Sequence, residues 1–452
     1  MAETPSPGGL RAALRRGEVR ADSLLTRERL RNYPLILVVL GAVSLTISTV
    51  QRFVDPAVFG PLLPDYLAHW TGGALLLGGS GMDLYSIERQ VGVQAPISGT
   101  SSVVAWFVSP PLVAALYAPL VLITYPASAG AWLVINVVLL AVCLRSLRTV
   151  APTLIARRRG LVVLVLCASA PVLELLGGGQ DSAFVLAVWL LAMRLIAGRH
   201  QFLAGAVLGL ALLKPQHVVL VPVVLLMTRR FGALSGFLVM GFLQAGLSLA
   251  LVGPAGVGRW VDVLTGSGFG EQVQQDQAWK MVSVPAFLHA VLPESAPSAM
   301  GTVLAVVVLV AAAAALALQL VRRQRSRGET PEAGEQGPAR GLDGILVLIA
   351  TLSTTVVFSP HLVVYDAVLF FPVALYLLEN RPTVAVRLSL AAAFCTTWLA
   401  PVLQSTAGQL VWPFSIGAAP WTAIPLVVLW IESLRLLAQP VRTDARPKRT
   451  VA

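Results

Sequence analysis

SAMGTVLAVVVLVAAAAALALQLVRR, residues 298–323, decides the class of this chain. From Ser298 to Val321 no side chain is charged, and the run is longer than the roughly 20 apolar residues that cross a bilayer as a helix. It stops at Arg322-Arg323. A helix apolar on every face belongs in a protein core or in lipid. Composition settles which. Of 452 residues, 56% are hydrophobic and 12% charged, whereas soluble globular proteins carry about 25% charged residues. A soluble enzyme is excluded, and an all-α polytopic membrane protein is expected.

Working outward from 298–321, apolar runs place further spans near 33–52, 128–147, 160–177, 182–198, 201–213, 216–228, 231–252, 343–358, 362–378, 388–404 and 418–437, about twelve in all. The run 111–125, bounded by Pro110-Pro111 and Tyr125-Pro126, is short and is left open as re-entrant or interfacial. One transmembrane domain, 33–437, is therefore expected between tails at 1–32 and 438–452. The N-terminal tail carries seven Arg and no apolar h-region, so it reads as a retained tail and not a cleaved signal peptide.

Net charge is +11, which in a soluble protein would suggest nucleic acid. With about twelve crossings, all of the 33 Lys and Arg except Arg52, Arg89, Lys214, Arg259 and Lys280 fall on the side of the tails. The excess is then an orientation signal, both termini are expected in the cytoplasm, and no nucleic acid partner is expected. The loop 322–342 is cytoplasmic. Two long outer segments remain, about 54–110 and 253–297. The first holds a run from Asp65 to Leu77 that reads as an interfacial amphipathic helix, with Tyr66 and Trp70 at headgroup level. Cys143, Cys167 and Cys395 read as small hydrophobes without metal spacing.

Polar residues at the outer ends of apolar runs form five groups, and at membrane depth such residues are costly. They are Asp65 with His69; Gln180-Asp181 after Gly177-Gly178-Gly179, with Glu174 one turn earlier; Lys214-Pro215-Gln216-His217; Gln277 with Trp279-Lys280; and Ser359-Pro360-His361 with Tyr365-Asp366. The topology puts all five on one face. Two of three lysines, Lys214 and Lys280, lie there, and a compact ammonium suits a phosphate oxygen. Plainer readings stand beside these: Asp65 as a helix N-cap, the glycines as a helix stop with Gln180-Asp181 capping the next helix, Lys214-Pro215 as the end of a span. His69 lies one turn from Asp65 at a spacing that could serve a metal, but no third ligand is evident, and it reads as a hydrogen-bonding residue.

The chain resembles glycosyltransferase family 87, the polyprenyl-phosphate-mannose-dependent mannosyltransferases of the GT-C superfamily. The matching stretches are Asp65-Tyr66 with Gly72-Gly73-x-Leu75-Leu76-Leu77, Asp83-Leu84-Tyr85, the prolines at 110 and 111, Gly179-Gln180-Asp181, the run from Ala204 to Lys214-Pro215-Gln216, and Ser359-Pro360-His361 with Tyr365-Asp366. Where the family often has Asn, this chain has Ser182, which puts sugar or acceptor choice in question.

The resemblance implies a GT-C-type helix bundle in the plasma membrane, with its active site on the extracytoplasmic side. It implies transfer from a polyprenyl-phosphate-mannose donor to a glycolipid or lipoglycan, with Asp65 as catalytic base and His361 as a site residue. Such a reaction passes through an oxocarbenium-like state while charge grows on the leaving phosphate. Lys214, Lys280 and His361 are the expected phosphate ligands, and Gln180, Asp181, His69, Gln216 and Trp279 the groups that orient sugar and acceptor. Asp181, Glu174 and Asp366 are otherwise expected to be supporting residues. No cofactor is expected, and activity is expected to be metal-independent. Alternatives are another lipid-linked sugar, arabinofuranose or glucose, and a lipid-carrier transporter or flippase; no internal repeat supports the last.

Overall fold

A computed structural model describes residues 20, 22–102, 104–265, 278–292, 298–328, 338–406 and 414–439. Gln277 and much of the tails and of the segments 253–297 and 322–342 lie outside these residues. Regular structure among the described residues is helical, apart from an isolated antiparallel bridge between Met281 and Val363. The chain begins with α1 (Arg27–Val54), α2 (Pro64–Leu77), α3 (Ile87–Ser98) and α4 (Pro111–Val121). The bundle follows with α5 (Tyr125–Ser146), α6 (Pro152–Cys167), α7 (Ala170–Gly178), α8 (Ser182–Ala197), α9 (Gln201–Leu210), α10 (Val221–Met227) and α11 (Phe231–Thr265). The chain ends through α12 (Val284–Val291), α13 (Ser298–Gly328), α14 (Pro338–Val357), α15 (Phe371–Asn380), α16 (Val384–Thr406) and α17 (Ala423–Leu437).

Six helices among the described residues are long and apolar enough to cross a membrane, and α6 with α7, bent by 54°, forms a seventh if the pair is one span. The chain is a multi-pass membrane protein. On α1 the exposed residues Tyr33, Ile36, Leu40, Val43, Ile47 and Val50 recur at steps of three and four. Such a continuous apolar stripe suits lipid and would aggregate in water.

The other expected spans fall on shorter helices, and their lengths refine the expectation. Helix α8 is sheathed by protein, with Trp189, Leu190, Ala192 and Met193 fully buried, so no long lipid-facing run is needed there. The segments Gln201–Leu213 and Pro215–Met227 are each about 20 Å long by helical rise, short of a hydrocarbon layer of about 30 Å. They turn back at Lys214-Pro215, where proline offers no backbone donor. Each arm of this hairpin is shorter than a full hydrocarbon layer, and Arg230 at its end returns to Gln201 at its start. Helix α4, with 11 residues, is about 16 Å long, likewise shorter than the hydrocarbon layer.

Small residues let the hairpin pack closely. A Cβ on Gly205 would run into the backbone at Ala233, and one on Gly236 into the backbone at Phe202. Helices α9 and α11 therefore touch main chain to main chain, as small-residue seams do in membranes. Gln244 adds a hydrogen bond from Nε2 to the Gly209 carbonyl, 2.7 Å. The Ala204–Leu210 part of the family-like run is thus a packing surface, and it delivers Lys214 to its place.

The expected interfacial helix at 65–77 is corrected by the structure. It forms, as α2, but Tyr66, Leu67, His69, Thr71, Gly72, Gly73 and Leu75 are buried. Tyr66 is fully enclosed by Tyr117, Tyr125 and Trp132 and hydrogen-bonds the Ser128 hydroxyl. The hydropathy pattern of a helix sunk in protein on most sides resembles that of one lying in headgroups, because both bury apolar faces. The segments 54–110 and 253–297 also bind each other. Beyond a break at Gly253 (φ 67°), α11 continues to Thr265. There Arg259 reaches the Met82 carbonyl and Asp83, and Trp260 Nε1 donates to Val108 O at 3.1 Å.

Candidate active site

The glycine run at the end of α7 is where the segment 54–110 meets the bundle. Gly179 closes α7 with φ 74°, in the left-handed region where a Cβ is disfavoured. A Cβ there would also lie 2.7 Å from Leu63 Cβ and 2.9 Å from Tyr66 Cβ. Trp132 Nε1 donates to the Gly179 carbonyl at 2.7 Å, fixing the turn. At Gly178 a Cβ would stand 2.5 Å from Asp65 Oδ2. The run is more than a helix stop. It is a hollow that seats the carboxylate of Asp65.

Asp65 is not the N-cap of α2. Leu63 occupies that position in a left-handed conformation (φ 43°), Pro64 follows, and Asp65 sits in the first turn. Its side chain is half-buried and makes no hydrogen bond or ion pair among the described residues. A carboxylate in that state is free for chemistry. Gly178→Ala is expected to lower turnover about 10²-fold by moving this carboxylate, with the thermal unfolding midpoint nearly unchanged; kinetics and a melting curve on one preparation check both.

The other four groups meet around Asp181 and Asp366. Lys214 Nζ lies 2.5 Å from Asp181 Oδ1 and 3.5 Å from Asp366 Oδ1, with its side chain only 13% exposed. His69 Nε2 is 3.8 Å from Asp181 Oδ2, and His217 Nε2 is 3.6 Å from Asp366 Oδ1. The Ser182 hydroxyl donates to Asp366 Oδ1. Asp366 lies in a buried 3₁₀ helix, Val364–Phe370, longer than the three or four residues usual for that geometry. Lys214, expected as a phosphate ligand, is thus already engaged by two carboxylates. Ser182, at the position where sugar or acceptor choice was in question, has its hydroxyl on Asp366 in the buried floor.

Lys280 is different. Among the described residues no carboxylate lies within ion-pair distance of it; its ammonium faces the rings of Trp279 at 6.0 Å and Tyr365 at 5.8 Å. The Met281–Val363 bridge and a 2.9 Å bond from Val282 N–H to Leu362 O tie its segment to the one carrying His361. His361 is half-buried, its carbonyl accepting from Ser359 Oγ at 3.0 Å. Burial pushes its imidazolium down to about 4, so it stands neutral at physiological pH. His69 is also held neutral by burial and stacks on Tyr117 at 4.6 Å.

Gln180 is buried behind Gly179, Gln216 is half-buried in the turn Pro215–His217, and Trp279 is half-buried beside Lys280. Asp65, Glu174, Asp181 and Asp366 all lie within electrostatic reach of the Tyr365 hydroxyl. Residues from all five groups thus meet at one locus. His217 and Tyr365 stood in the recognised groups but were given no role; their burial beside Asp366 and Lys214 is what marks them. No set of three His, Cys, Asp or Glu side chains suited to a metal occurs among the described residues.

The sequence model of glycosyltransferase family 87 matches residues 107–334. That span holds Gln180, Asp181, Lys214, Gln216, Trp279 and Lys280, whereas Asp65, His69, His361 and Asp366 lie outside it. No curated protein and no solved structure matches the chain.

Proposed function

The chain belongs to glycosyltransferase family 87, and from that membership we propose that it moves a sugar, mannose in the first instance, from a polyprenyl-phosphate donor to a hydroxyl of a glycolipid or lipoglycan. The reaction is placed at the outer face of the plasma membrane, where lipid-linked sugars replace nucleotide sugars. The observation that carries this reading is the pairing of one carboxylate without a hydrogen-bond or ion-pair partner among the described residues, Asp65, with one ammonium without a carboxylate at ion-pair distance, Lys280, beside a floor in which Lys214 is already engaged by Asp181 and Asp366.

Asp65 takes the proton of the acceptor hydroxyl as its oxygen bonds to the anomeric carbon. The bond from that carbon to the phosphate oxygen breaks on the opposite face, the configuration inverts, and polyprenyl phosphate leaves with the electron pair. Lys280 meets the growing phosphate charge, and the neutral His361 donates one N–H to it. Asp181, Lys214 and Asp366 keep the floor rigid, while Gln180, Gln216, His69 and Trp279 orient sugar and acceptor. A phosphate leaves without protonation, so a single carboxylate suffices, and the scheme calls on no metal.

The test is transfer of labelled mannose by purified protein in liposomes, supplied with polyprenyl-phosphate mannose and a glycolipid extract, with GDP-mannose as the control. Transfer from the lipid donor alone supports the reading; transfer from GDP-mannose alone, or from neither, removes it. In the same assay Lys280→Ala is expected to raise KM for the donor about 10- to 100-fold, the worth of one charge-assisted hydrogen bond, with KM for the acceptor unchanged.

A further inference from the structure

Two lysines approach one ring. Lys214 Nζ lies 5.7 Å and Lys280 Nζ 5.8 Å from the centroid of Tyr365, both inside the ~6 Å reach of a cation–π contact. In every other respect the two ammoniums are held in opposite ways. Asp181 and Asp366 fix Lys214 and more than offset its charge. Lys280 has no carboxylate at ion-pair distance among the described residues, so its orientation must come from elsewhere. Its other aromatic contact, Trp279, is its neighbour in the chain and moves with it. Tyr365 is buried, at 6% exposure, in the 3₁₀ helix Val364–Phe370, and so belongs to the fixed part of the molecule.

We propose that Tyr365 is a positioning residue that aims Lys280 at the donor phosphate through the face of its ring. The proposal rests on the reading of Lys280 given above. A carboxylate in the same place would hold Lys280 more firmly but would neutralise the charge that the phosphate is to meet. A ring attracts an ammonium through its quadrupole and leaves the net charge in place. The backbone link between Val282 and Leu362 brings the two segments into register, and the ring then sets the direction of the side chain.

The experiment replaces Tyr365 with Phe and then with mono-, di- and trifluorinated phenylalanines, which weaken the quadrupole stepwise at nearly constant shape. Two quantities are read: the rate of Lys280 acetylation by a water-soluble acetyl ester, mapped by mass spectrometry, and KM and kcat with polyprenyl-phosphate mannose. Tyr365→Phe should stay within twofold of the parent in both. Along the fluorinated series acetylation should quicken several-fold and donor KM should climb about tenfold, with kcat within threefold. In a Lys280→Ala background the KM series should be flat, which separates Lys280 from Lys214. Acetylation that ignores fluorination overturns the proposal whatever the substrate. Acetylation that follows the series while KM stays level also overturns it, by showing that the ring holds Lys280 but that Lys280 does not meet the donor. Absence of any transfer by the parent protein, with acetylation still following the series, locates the failure in the proposed function instead.

Discussion

Asp65→Asn is expected to lower kcat by about 10²- to 10⁴-fold, the usual worth of a general base, in a protein that still folds and inserts. The structure separates the two effects. Asp65 caps nothing and makes no bond among the described residues, and the amide is isosteric, so the hollow above Gly178 still accepts it. The fold loses only the favourable placement of a charge in the first turn of α2, worth about 0.3–1 kcal/mol. Single-turnover transfer at saturating donor, with a thermal unfolding curve on the same sample, measures both. An Asn variant retaining a tenth or more of the parent rate would remove Asp65 from the mechanism. One that is inactive and also unfolded would make the residue structural, contrary to its lack of partners.

The second large effect is on stability and concerns the other lysine. Lys214→Met keeps most of the side-chain volume but leaves Asp181 and Asp366 facing each other in a buried site without their cation. Asp366 has a side chain only 2% exposed, and water cannot replace the lost ammonium there. Breaking a buried pair from one side typically costs about 3–5 kcal/mol, because the remaining charge is stranded. The unfolding midpoint in detergent is expected to fall sharply, whereas Lys280→Met, in a half-buried position with no carboxylate partner, should leave it nearly unchanged. Adding Asp366→Asn to Lys214→Met should recover part of the loss, since one stranded charge is then gone. Equal midpoints for the two methionine variants would show that Lys214 is not the tie between α8, the Pro215–His217 turn and the Val364–Phe370 helix.

The division between sequence and structure follows the same residues. That the chain is helical and lives in a membrane was legible from Ser298–Val321 and similar runs, because the cost of moving a side chain from water to lipid is a property of each residue and its neighbours along the chain. The five polar groups were legible for the same reason: each is an exception to an apolar surrounding. The glycines at 177–179 were visible as a break, and their second purpose, room for Asp65 and Tyr66, was not.

What the sequence by itself determined, then, is the membrane class, the helical content and the list of polar residues that meet at one site. Only the tertiary structure decided their partners and their burial. Lys214 and Lys280 look alike in one dimension, and they differ because Asp181 and Asp366, far apart in the chain, converge on the first, while the second lies against two rings with no carboxylate at ion-pair distance among the described residues. The buried position of α2 and the short hairpin at Lys214-Pro215 are of the same kind. Charge pairing and enclosure depend on distances between segments remote in sequence, and hydropathy, which is local, carries no record of them.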